Sequence, residues 1–290
     1  MALYTIKNDL LSANIESKGA ELRSLKGKIE YMWSADPKYW ERVSPILFPF
    51  IGKTNNMQYH IDDKCYSMSA HGFARDMEFN LLSQTENEIW FYLESDENTL
   101  KNYPFEFRLE IGYKLTGDTL EVLWRVINPS DDILPFSIGG HPAFVCPPGN
   151  SCKQEECYLK FDKYDNLAST KISENGLTLK EYIPITTENG YINITKELID
   201  LQTVLFENGQ CSEISLCTKD KKPYITVSFD APVVALWTPS DKNAPFFCIE
   251  PWYGICDPEG YTGDIKNRPF ENLLQPNDIF NASYKIKTHL

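Results

Sequence analysis

One run constrains the fold more than any other: Phe105-Glu-Phe-Arg-Leu-Glu-Ile-Gly-Tyr-Lys-Leu115. Phe105, Phe107, Leu109, Ile111, Tyr113 and Leu115 fall on one face, and Glu106, Arg108, Glu110 and Lys114 on the other. Successive side chains of a strand point to opposite faces, so a period of two marks a half-buried strand and excludes a helix. Glu88–Glu94 and Thr119–Ile127 carry the same signal, and Thr116-Gly-Asp118 between the second and third runs is a hairpin turn. Further strands are expected at Glu213–Thr218, Tyr224–Phe229, Ala235–Thr238, Phe246–Glu250 and Ala282–Thr288. No segment sustains an apolar period of 3.6, so helices are limited to short ones at Ser95–Tyr103 and Thr195–Leu201. There is no internal repeat and no Pro- or Ser-rich linker. The expected architecture is all-β: residues 1–290 as a single domain, one large antiparallel β-sandwich, with Pro147–Glu156 as a polar excursion.

Composition narrows the function classes. The 28 basic and 41 acidic residues leave a net charge of −13. Neutralising phosphates takes clustered Lys and Arg, so nucleic acid is not an expected partner, and an anionic membrane surface is disfavoured too. A local pair of arginines can still hold a small anion. No apolar run reaches the 18 or so residues that a membrane helix needs, and the first residues have no basic-then-apolar leader pattern. A cytoplasmic location is expected. Among the eight cysteines no pair forms C-x-x-C, and Cys146, Cys152 and Cys157 have no histidine at metal-ligand spacing, so reduced thiols and no metal are expected.

Four histidines occur, and two have unusual surroundings. His71 opens His71-Gly-Phe-Ala-Arg75, where the glycine permits a close backbone approach and Arg75 lies within reach. His141 follows two glycines and precedes Pro142, which fixes the backbone around its imidazole. His60 reads as a solvated residue of a hairpin and His289 as a frayed end. Glu250 sits between Ile249 and Pro251 beside Trp252 and Tyr253. Such a carboxyl is either a base whose pKa burial raises or the buried partner of an arginine. Two imidazoles and a glutamate form a general acid–base set. The chain carries no G-x-S-x-G, P-loop or G-x-G-x-x-G.

Four segments in order add to this reading: Trp40–Lys53, His71–Phe79, Gly139–Phe144 and Cys248–Asp257. Together they resemble the aldose 1-epimerase (galactose mutarotase) superfamily, most closely its LacX-type branch, from about residue 4 to 287. The resemblance implies a β-supersandwich and a carbohydrate site without a metal or other cofactor. It implies Glu250 as the general base, His141 as the general acid and His71 as a histidine that hydrogen-bonds the sugar. Arg42 and Arg75 resemble sugar- or phosphate-binding arginines of the hexose-phosphate branch, and Lys53 stands where mutarotases carry an arginine. The family's upstream substrate-binding aspartate corresponds to Ile199–Phe206, which leaves Asp200 and Gln202 as alternatives. The implied reaction is anomer interconversion by ring opening, with Trp252 and Tyr253 available to stack on the sugar. Two other readings compete. One is a non-catalytic sugar-binding or sugar-sensing module on the same fold. The other is a glycoside hydrolase or lyase, whose two carboxylates would be Glu250 and Asp257.

Overall fold

In Arg108–Thr116 and Thr119–Ile127, alternate residues are driven to one face by their apolar side chains, and the two strands pair across the expected turn, Thr119 opposite Thr116. Leu109, Ile111, Leu120, Val122 and Val126 are all fully buried. Each such side chain contributes roughly 1.5–3 kcal/mol by leaving water. The hairpin is the middle of a nine-stranded antiparallel sheet. Its order is Tyr191–Asn193, Tyr158–Phe161, Glu213–Cys217, Pro223–Phe229, Ile279–Thr288, Thr119–Ile127, Arg108–Thr116, Glu88–Glu94 and Asn80–Gln84. The computed structural model describes residues 1–289, the Asn150 side chain excepted.

A second sheet of eight strands packs on the first. Its order is Thr178–Pro184, Ala168–Ile172, Thr203–Phe206, Val233–Trp237, Phe246–Tyr253, Ile138–Gly140 and Ile46–Leu47, with Ala143–Val145 also paired to Phe246–Tyr253. The main core lies between the sheets. Ile111 and Val122 of one share a cluster with Val234, Leu236, Phe247 and Ile249 of the other. Leu3–Lys7, Ser12–Glu16 and Glu21–Lys26 form a small third sheet whose Ile6, Ile15 and Leu22 join the same cluster. The all-β expectation is met. The two α-helices among the described residues are single turns, Thr99–Asn102 and Lys196–Ile199, inside the two segments expected to be helical. Among the described residues no helix is long and apolar enough to cross a membrane.

Several local expectations need adjustment. The strand expected from Phe105 starts at Arg108 because Phe107 and Tyr103 turn inward onto Phe48 first. Its polar face is not simply solvated: Glu110 is buried, with Arg108 Nε and Arg125 Nη1 each donating to it at 2.8 Å. Pro147–Glu156 is an excursion of two 3₁₀ turns, and Gln154 Nε2 ties it to the Phe246 carbonyl at 2.8 Å. His60 lies in a hairpin as expected, Gln58–Ile61 against Lys64–Ser67. His289 is not frayed; its Nε2 meets Thr226 Oγ1 at 2.8 Å and its backbone N–H donates to Tyr224.

Candidate active site

The strand Phe246–Tyr253 has two buried faces. Phe247 and Ile249 point into the core between the sheets, so Cys248, Glu250 and Trp252 point to the opposite face. Gly139 lies opposite Trp252, and Ala143 lies opposite Cys248. Equal steps along both strands therefore place His141 opposite Glu250. The Pro142 ring supplies no N–H there, and the His141 N–H donates to the Pro45 carbonyl on the far side. The result is a cross-strand pair with His141 Nε2 3.3 Å from Glu250 Oε2. Glycine is required beside it, because a Cβ on Gly139 would sit 2.7 Å from the Trp252 ring.

His71 reaches this pair from a separate loop. Its φ is +65° and that of Gly72 is +70°, where a Cβ on Gly72 would meet the Phe48 carbonyl oxygen at 2.2 Å. The tight turn is held by His71 N–H to the Gly52 carbonyl at 2.7 Å. In return the Gly52 N–H donates to His71 Nδ1 at 3.2 Å. An accepting Nδ1 assigns the proton of the neutral ring to Nε2. The His71 and His141 rings stand edge to face, 5.7 Å apart.

Protonation follows from burial. Glu250 is 1% exposed and desolvation raises its pKa well above the ordinary carboxylate range; the nearby Trp252 indole opposes this without completing a hydrogen bond. Burial lowers the His141 pKa to about 3, and the Arg75 and Arg42 charges add to the effect. His71 is lowered well below its usual value by burial, then by His141, Arg75, Arg42 and Lys53. Both shifts favour the uncharged forms, a carboxylic acid beside a neutral imidazole.

The arginines flank the histidines. Arg42 Nη2 donates to Asp76 Oδ1 at 2.9 Å, and Arg75 Nη2 donates to the Ala70 carbonyl at 2.7 Å. Arg75 Nε lies 3.8 Å from Asp76 Oδ2 and makes no hydrogen bond; burial and then Arg42 bring its pKa down to about 10. Glu21 fixes the segment that bears Arg42, accepting the Val43 and Ser44 N–H groups at 2.7 and 2.9 Å. Lys53 is exposed, and its side chain lies along Gly176. Of the two alternatives near residue 200, Asp200 is an exposed partner of Lys196 at 2.6 Å. Gln202 instead lines a groove of about 390 Å³ with Tyr39, Trp40 and Trp237.

The aromatic expectation is corrected. Trp252 packs with Leu47, Val233 and Ala235, and Tyr253 packs against Trp124 and Phe280, so both fill core. The rings at the site are Trp40, stacked on His141 at 4.7 Å, and Trp237, edge-on to it at 5.4 Å. Trp33 Nε1 donates to the Trp40 carbonyl at 2.9 Å and holds that segment in place. Asp257 is also not a free acid. Its Oδ1 accepts from Arg268 Nε at 2.6 Å and its Oδ2 from the Asn55 N–H at 2.8 Å. The Arg268 side chain is 1% exposed and also pairs with Glu271 at 2.6 Å. Sequence reasoning missed Arg268, Trp40 and Trp237 as parts of this region. The only available signal was that Trp40 begins one of the four ordered segments.

Comparison with known proteins shows the family and the fold. The family model described as aldose 1-epimerase matches residues 2–286. The chain is 30% identical over 292 residues to the chromosomal LacX protein of Lactococcus lactis subsp. lactis, covering 97% of each. Among solved structures, a galactose mutarotase related enzyme from Lactobacillus acidophilus is 31% identical with a TM-score of 0.94, covering 100% of this chain and 98% of that one. A galactose mutarotase-like protein from Lactobacillus casei ATCC 334 is also 31% identical, with a TM-score of 0.93 and coverage of 99% and 100%.

Proposed function

Since the chain belongs to the aldose 1-epimerase family and has a galactose mutarotase-like β-sandwich fold, we propose that it is an aldose 1-epimerase that interconverts the α and β anomers of an unphosphorylated hexose. The observation that carries this reading is the buried His141–Glu250 pair, 3.3 Å apart, with pKa values displaced in opposite directions. In the reaction Glu250 takes the proton of the C1 hydroxyl while His141 gives a proton to the ring oxygen. The C1–O bond of the ring breaks and C1 becomes a carbonyl. Rotation about C1–C2 presents the other face, and the reverse transfers close the ring. The Glu250 carboxylate with an imidazolium has the same total of one proton as the resting acid with a neutral imidazole. The pair thus exchanges roles without drawing a proton from solvent, which suits a reaction that runs both ways. His71, with Nε2–H free to donate, orients a sugar oxygen. Trp40, Trp237 and Gln202 form the wall along which the sugar lies.

A hexose phosphate is the second reading, favoured by the two arginines beside the histidines. Asp76 already engages both, which supports the free sugar instead. Polarimetry on freshly dissolved α-glucose and α-galactose is the test. Faster approach to the equilibrium rotation than in buffer is expected. No acceleration with either sugar, but tight sugar binding, would favour the non-catalytic module. A preference for glucose 6-phosphate over glucose that Arg75→Ala erases would transfer the proposal to the phosphosugar. A hydrolase has weaker support, because Asp257 is occupied by Arg268.

A further inference from the structure

On the site face of the strand Phe246–Tyr253, Cys248 and Glu250 are neighbours two residues apart, and His141 stands across from Glu250 between the adjoining strands Ile138–Gly140 and Ala143–Val145. Three side chains of different chemistry thus converge from a rigid sheet. One ligand atom from each, His141 nitrogen, Cys248 sulfur and Glu250 oxygen, lies within 4.8 Å of both others. The donors are not committed elsewhere. Glu250 Oε2, one of the two atoms of the 3.3 Å contact with His141 Nε2, is buried without a hydrogen-bond partner, and Cys248 is a buried free thiol. Residue exposure is 1% at Glu250 and 7% at His141.

We infer that His141, Cys248 and Glu250 form a binding site for a thiolate-preferring divalent transition metal, with Zn²⁺ as the class example, superimposed on the acid–base pair. The donor set is the kind that zinc takes: imidazole nitrogen, thiolate sulfur and carboxylate oxygen. Zn–N and Zn–O bonds of about 2.1 Å at a tetrahedral angle span about 3.4 Å between the two donors. The His141–Glu250 separation of 3.3 Å already matches that bite. The Cys248 sulfur, within 4.8 Å of both other donors, supplies the third position. Charge is balanced, because one thiolate and one carboxylate neutralise a dication. Arg42 and Arg75 nearby therefore face a neutral centre.

Binding is a metal-for-proton exchange. Cys248 loses its thiol proton, the His141–Glu250 pair loses the one it shares, and both go to the buffer. The metal takes a lone pair from each of the three atoms, so the pair can no longer move a proton. The site is thus inhibitory rather than catalytic for the reaction proposed above. Its occupancy does not depend on that reading, because metal binding is measured without any sugar.

The experiment is Co²⁺ and Zn²⁺ titration of untagged, reduced protein. One Co²⁺ per chain should bind with tetrahedral d–d absorption and a thiolate-to-cobalt charge-transfer band, and Zn²⁺ should displace it. Calorimetry in buffers of different ionisation enthalpy should count about two protons released per metal. Cys248→Ala and Cys248→Ser should abolish the charge-transfer band. They should also weaken binding by more than the 10- to 100-fold that loss of an outer-shell partner costs. His141→Asn should weaken it similarly, whereas Cys152→Ser should change nothing. Absence of stoichiometric binding, or binding without a thiolate band, would overturn the inference. So would a band that survives in both Cys248 variants but is lost in Cys152→Ser, which would place the metal at the Cys146–Cys152–Cys157 cluster instead.

Discussion

Glu250 shows how a single side chain can be held against its own preference. Its carboxyl is enclosed by a tryptophan, a cysteine and a neutral imidazole, and desolvation keeps the proton on it. Replacing it with glutamine keeps the shape and removes the acceptor, so epimerase turnover should fall by about 10²-fold or more in polarimetry. The same change reports on stability. A carboxyl whose pKa is raised in the folded state gives its full stability below the unfolded value near 4.3, and that stability is lost as pH rises toward the folded pKa. Glu250→Gln removes this loss. Its melting temperature relative to wild type should be higher at pH 8 than at pH 4, and a difference independent of pH would mean that Glu250 is ionised in the fold. The pair also sets the activity profile. One proton resides on it from about pH 3, where His141 takes up a second, to the raised Glu250 pKa, where the last one leaves. kcat/KM should therefore decline on the alkaline side as Glu250 loses that proton, and on the acid side only near pH 3.

Two loops bring the remaining groups to the strand pair, and each rests on one device. The His71 turn depends on Gly72, where φ is positive and the Phe48 carbonyl leaves no room for a Cβ. Gly72→Ala has no flexible neighbour to displace. It should cost more than about 1 kcal/mol of stability in urea unfolding and carry His71 away from His141. Nearly wild-type stability and KM would show that the turn adapts. The segment that bears Lys53 is fastened to Asp257, whose N–H donates to the Lys53 carbonyl at 3.0 Å, and Asp257 is in turn held by Arg268. Arg268 also donates to the Ile255 carbonyl at 2.9 Å and lies over the Phe50 ring. Arg268→Met leaves the Asp257 and Glu271 carboxylates buried without a cation, a loss of about 3–5 kcal/mol. Denaturant unfolding checks it; a change below about 1 kcal/mol would mean that water replaces the guanidinium.

Across the whole molecule, the two sheets share a core, and the cysteines report on it. All eight are free thiols; Cys65 is exposed, Cys152 half-buried and the other six buried. A thiol-reactive chromophore should label Cys65 quickly, Cys152 more slowly, and the six others together at the rate of global unfolding. Separate release of Cys211 and Cys217 before Cys248 would show that the sheets open independently. What the sequence by itself determined is the material of this molecule. Period-two alternation specified the central hairpin and most strands of the large sheet, because one face of each carries the apolar side chains that fill the core. The short or edge strands escaped it: Asn80–Gln84 is exposed along its length, and Ile46–Leu47 has too few residues to show a period. His71, His141 and Glu250 were also legible, since glycine, proline and apolar neighbours mark positions where a polar side chain is held tightly. Only the tertiary structure decided which groups meet. Strand register, a long-range property, set His141 against Glu250, and the path of the chain after Tyr253 through the turn at Ile265–Asn267 gave Asp257 to Arg268. Tyr253 is near Glu250 in the chain yet packs against Trp124 and Phe280, while Trp252 shares the face of Glu250 but fills core, and Trp40 and Trp237, remote in sequence, supply the rings around His141. Neighbours along a strand alternate faces, whereas neighbours across strands share one, so a site built on a sheet is assembled across the chain rather than along it.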